Sequence, residues 1–315
     1  MNLSDTVIVL LGPTAVGKTS VSLRIAEHLH APIVSADSRQ MFRDIPIGTA
    51  APTAAELSCA THHFVGNLSL DDYYSASCYE TEALEVINSY FERGTKTVIV
   101  SGGSMMYIDA LCHGIDKMPD IRGEVRDALK AEYAAHGLAP LVEELRQRDP
   151  VYAQQCDLCN QVRVIHALEI CRQTGQPYSD FRTRDNAEKE QQRPFRILKI
   201  GLERPREELF DRINRRVTQM VEDGFIDEAR RVIGKRGYNS LNTVGFKEIF
   251  AYLDGEWTLD FALERMRKNT RVYAKKQMTW FRRDNTIHWF HPDQVDEIMD
   301  FIDSQLSLVD SQLSL

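Results

Sequence analysis

The chain has 315 residues, of which 43% are hydrophobic, enough for one large domain or two smaller ones with a real core. The N-terminus lacks a basic segment followed by a long apolar stretch, and no window approaches roughly 18 uninterrupted apolar residues, so export and membrane spanning are not expected and a cytoplasmic protein is. A net charge of −8 argues against a surface coated in basic residues for nucleic acid, which leaves local patches to decide that question.

The first element is "TVIVLLG" (6–12), which reads as a buried parallel strand, and "KTSVSLRIAEHL" (18–29) reads as the helix that follows it. Between them, Gly12, Pro13, Thr14, Ala15, Val16, Gly17, Lys18 and Thr19 fit G-x-x-x-x-G-K-[ST]. In such a loop the backbone N–H groups cradle a phosphate chain, Lys18 reaches its terminal phosphates and the Thr19 hydroxyl meets Mg2+. A chance match in a strand-to-helix turn is the plain alternative. The motif does not say which molecule carries the phosphates.

"APIVSADS" (31–38) is a second strand, ending on Asp37. That makes Asp37 the one candidate carboxylate at this rim of the sheet, as a metal-assisting acid, a general base or simply a helix N-cap. A third strand, "TKTVIVSGGS" (95–104), ends in Ser-Gly-Gly-Ser, where an NTP hydrolase or kinase of this fold normally carries an aspartate. From about 120 to 190 the texture changes to charged helical segments, with Gly137 and Gly175 as stops.

A strand returns in "FRILKIGLE" (195–203), so the helical stretch is an insertion. The expected division is 1–119 and 193–315 for a P-loop-type α/β core, a doubly wound parallel sheet, with 120–192 as an inserted all-helical subdomain. Leu209, Ile213, Val217 and Met220 then form an apolar stripe at helical spacing. Arg212 and Arg216 lie one turn apart beside it, suited either to a departing diphosphate or to an ordinary solvated face.

From Arg265 to Arg283 eight basic residues, Lys275 and Lys276 among them, are interleaved with Tyr273, Trp280 and Phe281 and interrupted by no acidic residue. This pattern suits an RNA backbone clamp with stacking platforms, or an amphipathic helix with a solvated basic face. Six scattered cysteines read as reduced thiols. The lone Cys156-x-x-Cys159, even with His62 and His63, falls short of a zinc site. The hexapeptide "DSQLSL", at 303–308 and again at 310–315, reads as a frayed or added end.

Taken together, "GPTAVGKT", "SADSRQMFRDIPIGTA", "SGGSMMYIDAL", "RINRRVTQMVEDGF", "NTVGFKEI" and "YAKKQMTWFR" resemble the successive signatures of bacterial tRNA dimethylallyltransferases, from about residue 6 to 290. The resemblance implies that the loop holds dimethylallyl diphosphate and that a tRNA anticodon stem-loop enters a channel between core and insertion. There the adenosine following the anticodon is flipped out for prenylation at N6. Carried over residue by residue, it implies a general base at Asp37 within the tRNA-contacting Asp37, Ser38, Arg39 and Gln40. It also implies tRNA contacts at Ser104, Arg126, Gln161, Val162, Arg163, Val164 and Ile165, and a diphosphate contact at Arg216. The catalytic set is then Asp37, Lys18, Ser104 and Arg216.

Three departures stand out: Ser104 replaces the family's usual threonine, Ala51 its usual lysine, and "HHFVGN" its usual "HHLID". Prenylation of free AMP, ADP or ATP is the nearest alternative. A small-molecule kinase and a non-catalytic, nucleotide-switched RNA-binding protein are more distant ones. ATP is expected to bind the loop as a competitor only, and the enzyme is expected to be a monomer with no membrane partner.

Overall fold

The computed structural model describes residues 5–116, 118–119, 121–182 and 193–313. The expected boundary residues 120 and 192, and the last two residues of the second "DSQLSL", lie outside them. Two compact units are present, one made of residues 1–112 with 193–315, the other of residues 113–192.

The first unit is built on a six-stranded sheet with the order β3-β2-β4-β1-β5-β6. Its strands are β1 (Thr6–Leu11), β2 (Ile33–Ala36), β3 (His62–His63), β4 (Thr97–Gly102), β5 (Arg196–Leu202) and β6 (His288–Phe290). All pairings are parallel. Four of the six are the strands read from the sequence, while β3 and β6, two and three residues long, are too short to leave a periodic signal.

The central strand shows why the sheet needs helices on both faces. Val7, Val9 and Leu11 of β1 pack into one core with Tyr79, Ala83 and Ile87 of α4 (Ala76–Glu92) and with Ile108 and Leu111 of α5 (Met105–His113). Ile8 and Leu10 point the other way, towards Val21 and Ile25 of α1 (Lys18–Leu29) and Ile213 of α10 (Arg206–Glu222). The same second core takes Ala274 of α13 (Leu259–Phe281) and Ile298 and Ile302 of α14 (Val295–Leu313). Helix α14 therefore runs through the first "DSQLSL" and into the second instead of fraying, and Leu306 packs against this core.

Between α1 and α4 lie α2 (Pro46–Thr49) and α3 (Ala54–Cys59), and between α10 and α13 lie α11 (Phe225–Val232) and α12 (Phe246–Leu253). Val217, Met220, Phe225, Phe246 and Met266 of this helical region form a third core. The second unit holds α6 (Gly123–His136), α7 (Ala139–Arg148), α8 (Pro150–Gln155) and α9 (Gln161–Thr174) around a core of its own, centred on Leu129, Leu141, Leu145, Val164 and Leu168.

Register fixes where chemistry can happen. Gly102 of β4 pairs with both Leu11 of β1 and Ala36 of β2, and Gly201 of β5 also pairs with Leu11. The segments that begin at Gly12, Asp37 and Gly103 thus leave the sheet side by side at its carboxyl edge, where open α/β sheets gather ligands.

Candidate active site

The glycine-rich loop runs from β1 into α1, and Gly17 at the N-cap has φ 119°, a left-handed conformation natural to glycine. No side chain caps α1, so the loop's last residues open on a helix N-terminus suited to an anion. Lys18 Nζ donates to the carbonyls of Gly12 (3.0 Å) and Pro13 (2.9 Å). Burial pulls the Lys18 pKa down to about 8, the Asp37 carboxylate opposes that fall and the Arg216 guanidinium adds to it.

Three side chains from beyond β5 brace this loop. Arg212 Nε donates to Ala15 O (2.8 Å), Arg204 Nε to Val16 O (2.8 Å), and Gln277 Oε1 accepts from Thr14 N (2.9 Å). Arg204 is itself ion-paired with Glu208 and with Asp293 (2.8 Å), next to His291. Glu208, His291 and Asp293 bring three ligand-type atoms together, but both carboxylates are already paired with the Arg204 guanidinium.

Asp37 divides its carboxylate between two jobs. Oδ1 accepts from the backbone N–H of Arg39 (2.9 Å) and Gln40 (3.3 Å), which closes the turn after β2. Oδ2 has no hydrogen-bond partner among the described residues, on a side chain that lines the central cavity. The helix N-cap weighed from sequence does not form, since the next helix begins only at Pro46; Oδ1 closes a turn instead, and Oδ2 is left for other work.

The Ser104 hydroxyl accepts from Ser38 N (2.8 Å) and lies 3.1 Å from the Ser38 hydroxyl as donor. It therefore ties the turn after β4 to the turn after β2, a supporting position for a residue expected in the catalytic set. Gln40 Nε2 reaches Ala50 O (2.9 Å) and holds the end of α2. Arg39 is half-buried near Asp37, Tyr107 and Tyr273, and burial lowers its pKa.

The cavity, about 870 Å³, is lined by Lys18, Thr19, Asp37, Arg39, Arg212, Arg216 and others. Burial lowers the pKa of Arg216, with Asp37 opposing, and its guanidinium donates to Thr49 O (3.2 Å). Arg212, Arg215 and Arg216 all line the cavity, Arg215 as an exposed side chain and the other two half-buried. Lys275 and Lys276 are both exposed, and of the two only Lys276 reaches the cavity wall.

In the helical unit, Asn160 caps α9 by accepting from Val162 N (3.2 Å) and Arg163 N (3.3 Å). Gln161, Val162 and Arg163 are exposed on its first turn, and Val162 is 68% exposed. Val164, expected among the tRNA contacts, is fully buried in the unit's core because the helical period turns it inward, and Ile165 is half-buried. Arg126 is paired with the buried Glu169 (3.1 Å), which also meets His166. All six cysteines are free thiols.

Sequence reading missed Gln277 and Arg204. For Gln277 a signal exists: it shares the inward stripe of α13 with Met266, Ala274 and Phe281, and a polar residue at a core position implies a specific partner. Arg204, in a charged stretch after β5, carries no comparable signal. Also missed was buried Glu228, which accepts from Ile47 N (2.9 Å) and Gly48 N (2.7 Å) and so fixes α2.

A family model described as IPP transferase matches residues 40–284. A tRNA dimethylallyltransferase of Phocaeicola vulgatus is 57% identical over 300 residues, covering 95% of this chain and 98% of its own. Another, from Parabacteroides distasonis, is 53% identical over 302 residues, covering 96% of this chain and 99% of its own. The full-length tRNA isopentenylpyrophosphate transferase of Bacillus halodurans superposes with a TM-score of 0.72 at 34% identity, over 99% of this chain and 100% of that one. A eukaryotic dimethylallyltransferase captured acting on tRNA gives 0.75 at 27% identity, over 88% of this chain and 70% of that one.

Proposed function

The chain belongs to the IPP transferase family and is a prenyl transferase acting on tRNA, and from that premise we propose that it moves a dimethylallyl group from dimethylallyl diphosphate to the exocyclic N6 of the adenosine immediately 3′ of the anticodon. The observation that carries this reading is that Lys18, Arg216 and Asp37 share one cavity at the carboxyl edge of the sheet. Two cations and a carboxylate with one free oxygen are what an alkylation with a diphosphate leaving group requires.

In the proposed reaction the N6 amine attacks the allylic carbon as the carbon–oxygen bond to the diphosphate breaks. Asp37 Oδ2 accepts the amine proton. Lys18, Arg216 and the loop amides meet the charge that grows on the departing diphosphate, in a setting where burial strengthens each interaction. Arg212 acts through the loop it braces. Extruding the base from an anticodon loop costs a few kcal/mol, less than from a duplex.

The donor set suits Mg2+, which dehydrates reluctantly and is usually held by one or two protein oxygens together with phosphates. Thr19 offers one hydroxyl at the cavity wall. Bound there, the ion would neutralise charge on the diphosphate. The reading assigns the work to a cytoplasmic monomer, because tRNA is the acceptor and every group invoked belongs to one chain.

Asp37→Asn keeps an acceptor for the Arg39 and Gln40 amides and removes the base. Turnover should fall by about 10² to 10⁴ while pyrophosphate affinity holds. The assay pairs labelled dimethylallyl diphosphate with an anticodon stem-loop or with AMP in ATP-free buffer. Label entering the stem-loop alone is the expected result. Label in AMP alone would favour the free-nucleotide alternative, and a requirement for ATP with release of ADP would reject the assignment of the loop's ligand.

A further inference from the structure

Gln277 sits on α13, 2% exposed, with both ends of its amide engaged. Oε1 accepts from Thr14 N (2.9 Å), 263 residues away in sequence, and Nε2 donates to Gly103 O (2.8 Å), 174 residues away. A side chain at Gly103 would not fit beside it, since a Cβ there would lie 2.5 Å from Nε2. Burying an amide costs free energy unless its hydrogen bonds are made, so an apolar residue would serve this core position better if packing were the only demand.

The Thr14 N–H belongs to the same peptide unit as the Pro13 carbonyl, and that carbonyl accepts from Lys18 Nζ at 2.9 Å. A peptide unit is planar, so gripping the N–H on one side orients the carbonyl on the other. Gln277 thus reaches Lys18 through one rigid plane while anchoring that plane to the exit of β4.

We propose that Gln277 is a positioning residue for the diphosphate loop: it fixes the Pro13–Thr14 peptide against Gly103 and through that peptide sets the place of the Lys18 ammonium. This rests on the reading of the loop as the diphosphate site. Gln277 touches no reacting atom in this scheme. Its effect is confined to the diphosphate half of the reaction.

Gln277→Met keeps the length and approximate volume and removes both hydrogen bonds. Pyrophosphate should bind it about 10-fold more weakly, and KM for dimethylallyl diphosphate should rise in parallel, whereas KM for the anticodon stem-loop should stay within about 2-fold. A merely structural role would not split the two substrates in this way.

Gln277→Leu likewise removes both hydrogen bonds with a differently shaped apolar side chain and should give the same signature, which keeps the test available if Gln277→Met does not fold. Folded variants with unchanged pyrophosphate affinity would overturn the proposal, as would equal weakening towards both substrates. Failure of the wild-type protein to bind pyrophosphate would instead reject the diphosphate reading of the loop. Wild-type binding matched by the variants rejects Gln277 alone.

Discussion

Lys18 carries the clearest pH dependence in the molecule. Its pKa in the fold is about 8 against an ordinary 10.5, so between these values the folded chain holds fewer protons at this site than the unfolded chain does. By linkage, this group's contribution to stability rises with pH across that window, because the cost of burying its charge is relieved. Its value as a phosphate ligand changes in the opposite sense. Pyrophosphate affinity, and kcat/KM for dimethylallyl diphosphate, should fall about 10-fold per unit as pH rises above about 8, since only the ammonium form pairs with the anion. Titration calorimetry across pH 7 to 10, alongside thermal melts, separates the two: affinity lost without stability lost assigns the break to Lys18, and parallel loss of both would assign it to unfolding. Lys18→Ala should abolish the break and cost about 3 to 4 kcal/mol in transition-state stabilisation.

Helix α13 shows how one element serves two purposes, and why only one of them was legible beforehand. Its basic residues were visible as a run without acidic interruption, because charge pattern is a local property. Its inward grip on the loop was not, because Thr14 and Gly103 come near it only once the sheet has brought three distant segments to one edge. The same distinction explains the strands: the long apolar runs of β1, β4 and β5 declared themselves, and the short edge strands β3 and β6 did not. Asp37 was legible as a strand-end carboxylate, whereas the division of labour between its two oxygens depends on a turn geometry that sequence does not spell out. On the outer side of α13 and α10, Arg267 donates to Thr218 (3.3 Å) and Arg271 to Asn214 (3.3 Å), neutral partners that leave both charges uncompensated at the contact. A polyanion suits such a face. Replacing Lys275 and Lys276, or Arg267 and Arg271, pairwise with Ala should weaken stem-loop binding and flatten its salt dependence by about 0.7 to 0.9 in log–log slope for each lost phosphate contact, with pyrophosphate binding nearly unchanged. Filter binding at several salt concentrations reads this directly, and an unchanged slope for both pairs would make the face an ordinary solvated one.

At the scale of the whole molecule, the proposed diphosphate site is assembled, among the described residues, from segments on either side of the helical unit. The loop, Asp37 and Ser104 precede residue 113, and the residues that brace or complete the site, Arg204, Arg212, Arg216 and Gln277, follow residue 192. The point of departure and the point of return of the intervening segment lie together, because Arg193 donates through Nε to Leu111 O (2.7 Å), through its guanidinium to Ala110 O (2.6 Å), and forms an ion pair with Glu80 (2.6 Å). A short Gly/Ser linker joining residue 112 to residue 193 therefore has little distance to span, and closing a short flexible loop carries a small entropic cost. The excised segment takes its own core with it, since Leu129, Leu141, Leu145, Val164 and Leu168 pack with one another. The shortened chain should bind pyrophosphate within about 3-fold of the full-length protein, because every loop contact is retained. It should modify the anticodon stem-loop at least about 10²-fold more slowly, because the exposed first turn of α9 and its Arg163 are gone and positioning of a bound substrate commonly carries that much of the rate. A folded, pyrophosphate-binding chain that still modifies the stem-loop at the full-length rate would remove the helical unit from tRNA recognition. Loss of pyrophosphate binding in a folded chain would mean that the diphosphate site depends on the excised segment.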